Sequence, residues 1–566
     1  MSSIIVLLKK FFALILSLFV VAPVDAPARE ANTVYVSAAQ GSDASAGDFD
    51  SPVKTIGRAL ELMDGEKNKI YVYSGEYHET VTVNKSGITL EGGCNTVITG
   101  ADETEGEWEK YAGHIYRIPL ENRPESVFAD GEQMMIARWP NTSHNNLCAM
   151  KRAKSDEGTG MNILVDSALP NNIDFTGGKL TIWNGSGWIT CFREISACEK
   201  GKSISWDEPI KSYTEDNLEG FDCYVPQKNN WYYVSDLLPL LDYPGEWYYD
   251  EGEKMLYFYA PDGRIPSKSD VRIKTRASGI VLENAENVTV KNINLFGCGV
   301  ACGGNNCVFD GVNVRCAEYF IDSDMFDSYR HRNNRITGSG NVWKNSEICD
   351  TWGDGINITG SGNTVENCHI HNVDYAGTVF GCLNITGSDN TVKNCTLHDT
   401  GMYNVLHTGA KRLKILGCDT YHSALLADDC GSIYGWGTES EGSEFAYNYV
   451  HDNSESGIYI DNNCSGYYVH DNLITGNGIG ITMNSHFSDC VVENNIFLKN
   501  DRLNSTYYYE VDGPSMAGSV IRNNIYMGEW KVVEGENAPE MSGNRQVRSA
   551  VGVKLPDREY GCDLIK

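Results

Sequence analysis

The phrases VENCHIH (residues 365–371), VKNCTLH (392–398) and ILGCDTY (415–421) are copies of one short pattern. Each copy alternates apolar and polar residues, carries a cysteine at its fourth position and is preceded by residues typical of turns. Alternation of this kind predicts a short β-strand, because successive side chains of a strand point to opposite faces. A phrase that recurs along a chain is the signature of a repeat architecture in which equivalent units stack.

The pattern continues in both directions with a period of roughly 24 residues. We place its fourth position at Asn345, Cys368, Cys395, Cys418, Asn448, Asn472, Asn495 and Asn524. Short alternating segments such as GINITGSGN and GIYIDNNCSG lie between the copies, which gives about three strands per repeat. This predicts an all-β right-handed parallel β-helix. A leucine-rich repeat would need a leucine ladder and a helical segment, and a helix bundle or doubly wound sheet would need sustained 3.6-residue periodicity.

The fourth position also predicts the contacts between coils. Equivalent residues of successive coils lie above each other at the strand spacing of ~4.8 Å, so an Asn column can form a ladder of side-chain hydrogen bonds. Cys368, Cys395 and Cys418 form too regular a column for pairwise bridges, and we predict unpaired, buried thiols. The four cysteines outside the repeat that could pair are Cys148, Cys191, Cys198 and Cys223.

The N-terminus has the order of a secretory signal peptide. Lys9 and Lys10 precede the apolar run FFALILSLFVVAPV, and small residues follow at Ala26 and Ala28. The run is shorter than the ~20 apolar residues that a membrane-spanning helix needs. We therefore predict a signal peptide over residues 1–28, a secreted location (extracellular or periplasmic) and no membrane association after cleavage.

Three further regions follow the signal peptide. Residues 32–103 are expected to form an N-terminal cap and the first coils. Within them Ile56, Ala59, Leu60 and Met63 have helical spacing and would cover the open end of the solenoid. The periodicity disappears in residues 104–276, which we interpret as an inserted all-β subdomain. Residues 277–566 are expected to form the main β-helix with C-terminal coils and a tail.

Composition restricts the partners. The chain has 566 residues, 46 Lys and Arg, 76 Asp and Glu, and a formal net charge of −30. Nucleic acid is excluded as a partner because its phosphates would be repelled. A monomeric state is expected. No cofactor is predicted; calcium would suit the many Asp and Asn side chains, but no ordered ligand motif is present for it or for another metal.

The richest candidate site is the stretch from Ala427 to Asn463. Alternation predicts that Ile433, Gly435, Ile458 and Ile460 point inward. It also predicts that Tyr434, Trp436, Tyr459 and Asp461 share an outward face, with Asp429 at the turn before it and the adjacent Asp428 as the turn residue itself. Two carboxylates on neighbouring coils, flanked by aromatic side chains, suit the cleavage of a glycosidic bond. Glu439 and His407 are added as candidate substrate-binding residues.

The runs DDCGSIYGWGTESEGSEFAYNYVHD and GIYIDNN, with VFADGEQMMIARWPN and LYFYAPDG, resemble secreted β-helix glycoside hydrolases grouped with family 141. The likeness extends from about Asn32 onward, and the opening coils are similar to those of the pectate-lyase-like superfamily. The resemblance implies a fucosidase- or xylanase-like activity with two catalytic aspartates, which correspond to Asp429 and Asp461. Cys430 stands where the family pattern has glycine.

Two other functions remain open from the sequence. A polysaccharide lyase acting on a uronic-acid polymer would need a cationic base, and Arg330, His331, Arg332, Lys411 and Arg412 are candidates. A non-catalytic carbohydrate-binding or adhesion β-helix would use the aromatic platforms and neither aspartate.

Overall fold

The structure is a computed structural model that describes residues 29–143, 147–210, 224–318, 333–484, 486–501, 504–506, 516–531 and 537–565. The predicted signal peptide lies outside these ranges. No helix in the described part of the chain combines the length and apolar character needed to cross a membrane.

The first coils are closed by one short helix, α1 (Ile56–Glu61). Thr55 caps it by accepting a hydrogen bond from the Arg58 backbone N–H, and Ile56, Ala59, Leu60 and Met63 are buried in the solenoid core as predicted. The helix therefore covers the apolar end of the first coil. Strands β1 to β6 are Thr33–Val36, Lys69–Val72, Gly75–Tyr77, Val81–Val83, Thr89–Gly92 and Thr96–Thr99.

The insertion leaves and re-enters the solenoid through one antiparallel strand pair, in which Ala101 lies opposite Lys274. The first two strands after it, Ser278–Leu282 and Thr289–Phe296, pair in parallel with β4 and with β5 and β6, so the coil after the insertion stacks directly on the coil before it. Strands β7 to β23 are Ala101–Glu103, Glu109–Ala112, Ile115–Pro119, Val127–Ala129, Glu132–Gln133, Met135–Ile136, Arg138–Trp139, Ala153–Lys154, Ile163–Val165, Lys179–Asn184, Ile189–Glu194, Ala197–Glu199, Ser203–Ser205, Trp231–Ser235, Glu246–Asp250, Met255–Tyr259 and Val271–Lys274. Two 3-10 helices in this region are Leu147–Ala149 and Leu238–Leu240.

The main solenoid is built from parallel strands that pair only with the coils above and below. Its strands β24 to β54 are Ser278–Leu282, Thr289–Phe296, Gly299–Cys302, Val308–Arg315, Arg335–Ile336, Val342–Lys344, Glu347–Thr351, Ile356–Ile358, Thr364–Glu366, His369–Val373, Gly381–Ile385, Thr391–Lys393, Thr396–Thr400, Tyr403–Leu406, Lys414–Leu416, Asp419–Tyr421, Gly431–Gly435, Glu444–Ala446, Tyr449–His451, Ser456–Ile460, Tyr468–His470, Leu473–Thr475, Ile479–Met483, Val491–Glu493, Ile496–Leu498, Asn504–Thr506, Val520–Arg522, Ile525–Met527, Trp530–Lys531, Glu540–Ser542 and Arg545–Val547. A 3-10 helix, Asp563–Ile565, lies at the C-terminus. The predicted all-β solenoid with a capping helix and an inserted all-β subdomain is confirmed.

The predicted asparagine ladder runs through the later coils. The Asn472 side-chain oxygen accepts from the Asn448 backbone N–H at 2.9 Å, and the Asn495 oxygen accepts from the Asn472 backbone N–H at 3.0 Å. Each side-chain amide also donates to a backbone carbonyl, as Asn472 does to Phe445 at 2.8 Å. These groups are buried, so the ladder satisfies polar atoms that water cannot reach.

Asn345 was wrongly placed in this column. Strand pairing sets Glu347 opposite His369, so Ser346 and not Asn345 is the equivalent of Cys368. Asn345 corresponds to the position before it, where Asn367 and Asn394 also have a positive φ. That position is the corner of the coil, and asparagine suits it because it tolerates the left-handed conformation.

Cys368, Cys395 and Cys418 are unpaired and fully buried, as predicted. Cys148 and Cys198, which could have paired, also carry free thiols. Cys191 is buried in a strand of the insertion, and Cys223 lies outside the described residues. The thiol column therefore acts as small apolar packing in the core.

Replacing Asn472 by alanine should destabilise the solenoid. The substitution removes the acceptor for the Asn448 N–H and the donor for the Phe445 carbonyl and leaves both buried, which we expect to lower the free energy of unfolding by about 3 kcal/mol. Chemical denaturation measures the change. Asn172→Ala, at an exposed position of the insertion, is the control, and an equal effect of the two substitutions would contradict the ladder's role.

Candidate active site

The predicted outward face exists and spans four neighbouring coils. It is carried by β37 (Tyr403–Leu406), β40 (Gly431–Gly435), β43 (Ser456–Ile460) and β46 (Ile479–Met483), which pair in parallel. Ile433, Ile458 and Ile460 are buried in the core, as predicted. Tyr434 lies beside Tyr459, and continuing this register sets Trp436 beside Asp461.

Three tyrosines form the floor of this face. The rings of Tyr403 and Tyr434 are stacked with centroids 4.6 Å apart, and Tyr459 meets Tyr434 edge-on at 5.2 Å. Such contacts hold the rings in fixed orientations. The hydroxyls of Tyr434 and Tyr459 are thereby directed at Asp461 and Asp429 respectively.

Asp461 is a carboxylate with a full set of donors. Its Oδ2 accepts from the Tyr434 hydroxyl at 2.8 Å, and its Oδ1 accepts from Asn484 Nδ2 and the Asn462 backbone N–H, each at 2.8 Å. The residue is only 8% exposed. Donors on both oxygens fix the orientation of the carboxylate.

Asp429 has a different environment. It lies at a corner with φ 50°, so Asp429 itself, and not Asp428 as predicted, adopts the left-handed turn conformation. Its Oδ1 accepts one hydrogen bond, from the Tyr459 hydroxyl at 3.3 Å. Although the residue as a whole is exposed, desolvation of its carboxyl, followed by repulsion from Asp461, raises its pKa to about 6.

One short relay joins the two carboxylates. Asn484 Nδ2 lies 3.3 Å from the Tyr459 hydroxyl and 2.8 Å from Asp461, and the same hydroxyl contacts Asp429. These contacts keep the two Oδ1 atoms within about 9.5 Å, the upper limit for a pair of glycosidase carboxylates. The two aspartates therefore belong to one site.

The insertion supplies the opposite wall. The tip of its β16–β17 hairpin (Lys179–Asn184 and Ile189–Glu194) places Ser186 and Gly187 beside Asp428, whose backbone N–H donates to Gly187. The hairpin is fixed to the solenoid because Trp183 Nε1 and the Thr190 hydroxyl both donate to the Gly377 carbonyl. The enclosed pocket has a volume of about 410 Å³ and is lined by Ser186, Asp428, Asp429, Cys430, Glu455, Ser456, Tyr459, Ile479, Thr482 and Asn484.

The predicted substrate-binding residues occupy different places. Tyr434 and Tyr459 lie in the floor, where each donates to an aspartate. Trp436 is 52% exposed beside Asp461, and its indole is available as a flat platform. Glu439 is exposed at the next corner, where its backbone bridges to Ser465.

His407 was wrongly assigned to the substrate-binding set. Its ring is fully buried inside the coil against Phe445 and Tyr467, and burial lowers its pKa to about 3. The neighbouring coil makes room for it with Gly435, where a Cβ would lie 2.1 Å from the imidazole. His407 is therefore a core residue that a substrate cannot reach.

Several residues of the site were not predicted. Tyr403, Asn484, Glu455 and Thr482 all contact the floor or line the pocket. Asn484 follows Met483, the partner of Ile460, so extending the alternation by one coil would have found it. Ser186 and the hairpin tip carry no such signal, because their position depends on how the insertion docks.

The cationic residues considered for a lyase do not supply an unpaired base in the described chain. Lys411 and Arg412 both form ion pairs with Glu441, and Arg412 also binds Asp389. Arg330, His331 and Arg332 lie outside the described residues.

The raised pKa of Asp429 predicts a pH-dependent stability. A carboxyl with a pKa near 6 when folded and an ordinary pKa of 3.8 when unfolded binds its proton more tightly in the folded state. Its contribution to stability is therefore largest below pH 4 and is lost as the pH rises through 6. Asp429→Asn should raise the free energy of unfolding at pH 7.5 by about 1 kcal/mol relative to its effect at pH 4, after allowance for solvent screening.

Denaturation of the wild type and of Asp429→Asn at both pH values measures this difference. Asp428→Asn, at the adjacent exposed position, serves as the control. An Asp429→Asn effect that is the same at pH 4 and pH 7.5 would show that the carboxyl has an ordinary pKa.

Known proteins resemble this chain at the level of the fold. Residues 335–497 match the family model described as "Right handed beta helix region". No curated protein matches the chain by sequence. A solved structure titled "Glycoside hydrolase" has a TM-score of 0.50 and 14% identity, over 91% of this chain and 95% of the other.

Two further solved structures are more distant. A complex of XylC with xylose has a TM-score of 0.38 and 14% identity, over 89% of this chain and 76% of the other. A GH136 lacto-N-biosidase from Eubacterium ramulus has a TM-score of 0.34 and 9% identity, over 91% of this chain and 68% of the other. The chain has the right-handed parallel β-helix fold, consistent with the predicted resemblance to the pectate-lyase-like superfamily; the likeness to family 141 stays a prediction.

Proposed function

We propose that this chain is a secreted glycoside hydrolase that cleaves a polysaccharide or complex glycan with Asp429 and Asp461. The observation that carries the proposal is the pairing of two carboxylates in one groove with opposite environments. Asp429 is desolvated and accepts a single hydrogen bond, whereas Asp461 accepts donors on both oxygens. A desolvated carboxyl with a raised pKa suits the role of acid, and a carboxyl held by donors on both oxygens suits that of base or nucleophile.

In this reaction Asp429 is the general acid. It holds a proton up to about pH 6 and transfers it to the glycosidic oxygen as the bond to the anomeric carbon breaks. Asp461, oriented by its donors, either takes a proton from the attacking water or attacks the anomeric carbon itself. The upper limit of about 9.5 Å on the distance between the two carboxylates is compatible with both routes. The anomeric configuration of the first product, measured by NMR, distinguishes them.

The walls of the groove suit a sugar chain. The indole of Trp436 offers an exposed apolar surface next to Asp461, and a ring face of a sugar can lie against it. Ser456, Thr482 and Asn484 line the pocket with hydroxyl and amide groups, the kind that pair with sugar hydroxyls. Export, expected from residues 1–28, would bring the protein to polymers outside the cytoplasm.

Asp429→Asn and Asp461→Asn should each lower kcat by at least ~100-fold, because each removes a proton-transfer or charged group from the reacting centre. The measurement is release of reducing ends from a panel of plant and host glycans. Asp452→Asn is the matched control: Asp452 is also a corner aspartate with positive φ, and it pairs with His451. Full activity of both variants on a substrate that the wild type cleaves would end the assignment.

The pH dependence of kcat should follow Asp429. Because the acid must be protonated, activity should fall as the pH rises through about 6. The Asp461→Asn variant removes the repulsion that helps to raise the pKa of Asp429, so Asp429 should lose its proton at a lower pH. The residual activity of this variant should therefore fall at a lower pH than the activity of the wild type. An alkaline limb that is unchanged in that variant would argue against the coupling of the two groups.

The product separates this function from the alternatives. A lyase would leave an unsaturated sugar that absorbs in the ultraviolet, whereas a hydrolase releases saturated reducing ends. A binding module would retain glycan without any product, and its affinity would depend on Trp436 but not on Asp429.

A further inference from the structure

A histidine cluster lies on a different sheet from the carboxylate groove. His369 and His371 flank Ile370 on β33 (His369–Val373), and His398 lies beside His371 on the next coil, in β36 (Thr396–Thr400). Ile370 is buried in the core, so the flanking histidines project from the outer face of the solenoid. Ring nitrogens of all three lie within 4.8 Å of one another.

Two of the rings face each other through the same nitrogen. His369 Nε2 and His398 Nε2 are 2.8 Å apart. The opposite nitrogens are held by carboxylates: His398 Nδ1 is 2.8 Å from Asp399 Oδ2, and His369 Nδ1 is 3.4 Å from Glu347 Oε1. Glu347 also contacts His371 Nε2 at 3.2 Å, so it touches two members of the cluster.

The facing nitrogens of this arrangement suit a cation between the rings. A carboxylate partner favours the proton on Nδ1, which leaves a lone pair on Nε2. Two lone pairs facing each other at 2.8 Å repel unless a proton or a metal ion lies between them. Histidines whose outer nitrogens are oriented by carboxylates, with their inner nitrogens converging, are the usual ligands of a protein-bound transition metal.

We propose that His369, His371 and His398 form a binding site for a divalent transition-metal ion such as Zn²⁺. Three imidazoles match the three protein ligands of open zinc sites, and zinc prefers nitrogen at 2.0–2.1 Å. Ligands of a tetrahedral ion at that distance are ~3.3 Å apart, so the His369 and His398 nitrogens need to separate by ~0.5 Å. The His371 ring, which is stacked on both other rings, needs to turn toward the ion. Glu347 and Asp399 would orient the ligands.

The site has a route to solvent and a covered side. Glu347 lines a cavity of about 570 Å³ between the insertion and the solenoid, which gives an ion a path to the cluster. On the other side the C-terminal tail crosses the sheet, where the Cys562 backbone N–H donates to the Thr396 hydroxyl two residues before His398. His369 is 8% exposed, so a bound ion would be partly shielded from water.

Titration of the chelator-treated full-length protein with ZnCl₂ by calorimetry tests the proposal. The wild type should bind one Zn²⁺ per chain, and Co²⁺ should give the visible absorption of a nitrogen-ligated ion. His398→Ala and His371→Ala should each weaken binding at least ~100-fold, and Glu347→Gln about 10–100-fold, the range for an outer-shell partner. Glu347 is exposed, so its isosteric replacement keeps the fold.

His451→Ala is the matched control. His451 occupies the same register column two coils beyond His398, but its nitrogens pair with Asp419 and Asp452. It should bind Zn²⁺ like the wild type, as should Asp429→Asn, whose site is on another sheet. A wild type that takes up no Zn²⁺, or cluster variants that bind it unchanged, would overturn the proposal and leave a shared proton between the rings.

Discussion

The constraint on which this structure depends is the register between successive parallel coils. Every strand of the solenoid finds its hydrogen-bond partners one coil above and one below, so the column in which a side chain lies is set by backbone pairing. The same register that closes the asparagine ladder also sets Tyr434 beside Tyr459 and His371 beside His398. The core, the groove and the histidine cluster are therefore all positioned by the register of the same repeat.

Register also explains how the two aspartates acquire different properties. Asp461 extends a strand, where Asn484 of the next coil and the hydroxyl of Tyr434 both donate to it. Asp429 lies at the corner before a strand, where crowding desolvates its carboxyl and only the Tyr459 hydroxyl donates to it. Position within the coil, and not residue type, therefore sets which hydrogen-bond donors reach each carboxyl.

Much of this could be predicted from the sequence, because period and alternation are local signals. These signals predicted the solenoid, the capping residues Ile56 and Leu60, and the face shared by Tyr434 and Tyr459. Asn345 was misplaced because its coil carries asparagine at the corner and serine in the ladder position. His407 was misjudged because its burial depends on space left by Gly435 in another coil. The position of the hairpin tip at Ser186 depends on how the insertion docks on the solenoid, and no local sequence pattern predicts that docking.

The insertion joins the solenoid through a single pair of strands, between coils that stack on each other without it. Its hairpin nevertheless forms one side of the pocket whose other side holds Asp429. Under the proposed function, the aspartates and the wall that faces them are encoded in separable parts of the gene. The wall, and with it the preferred glycan, can then change while the coils that carry the aspartates stay intact.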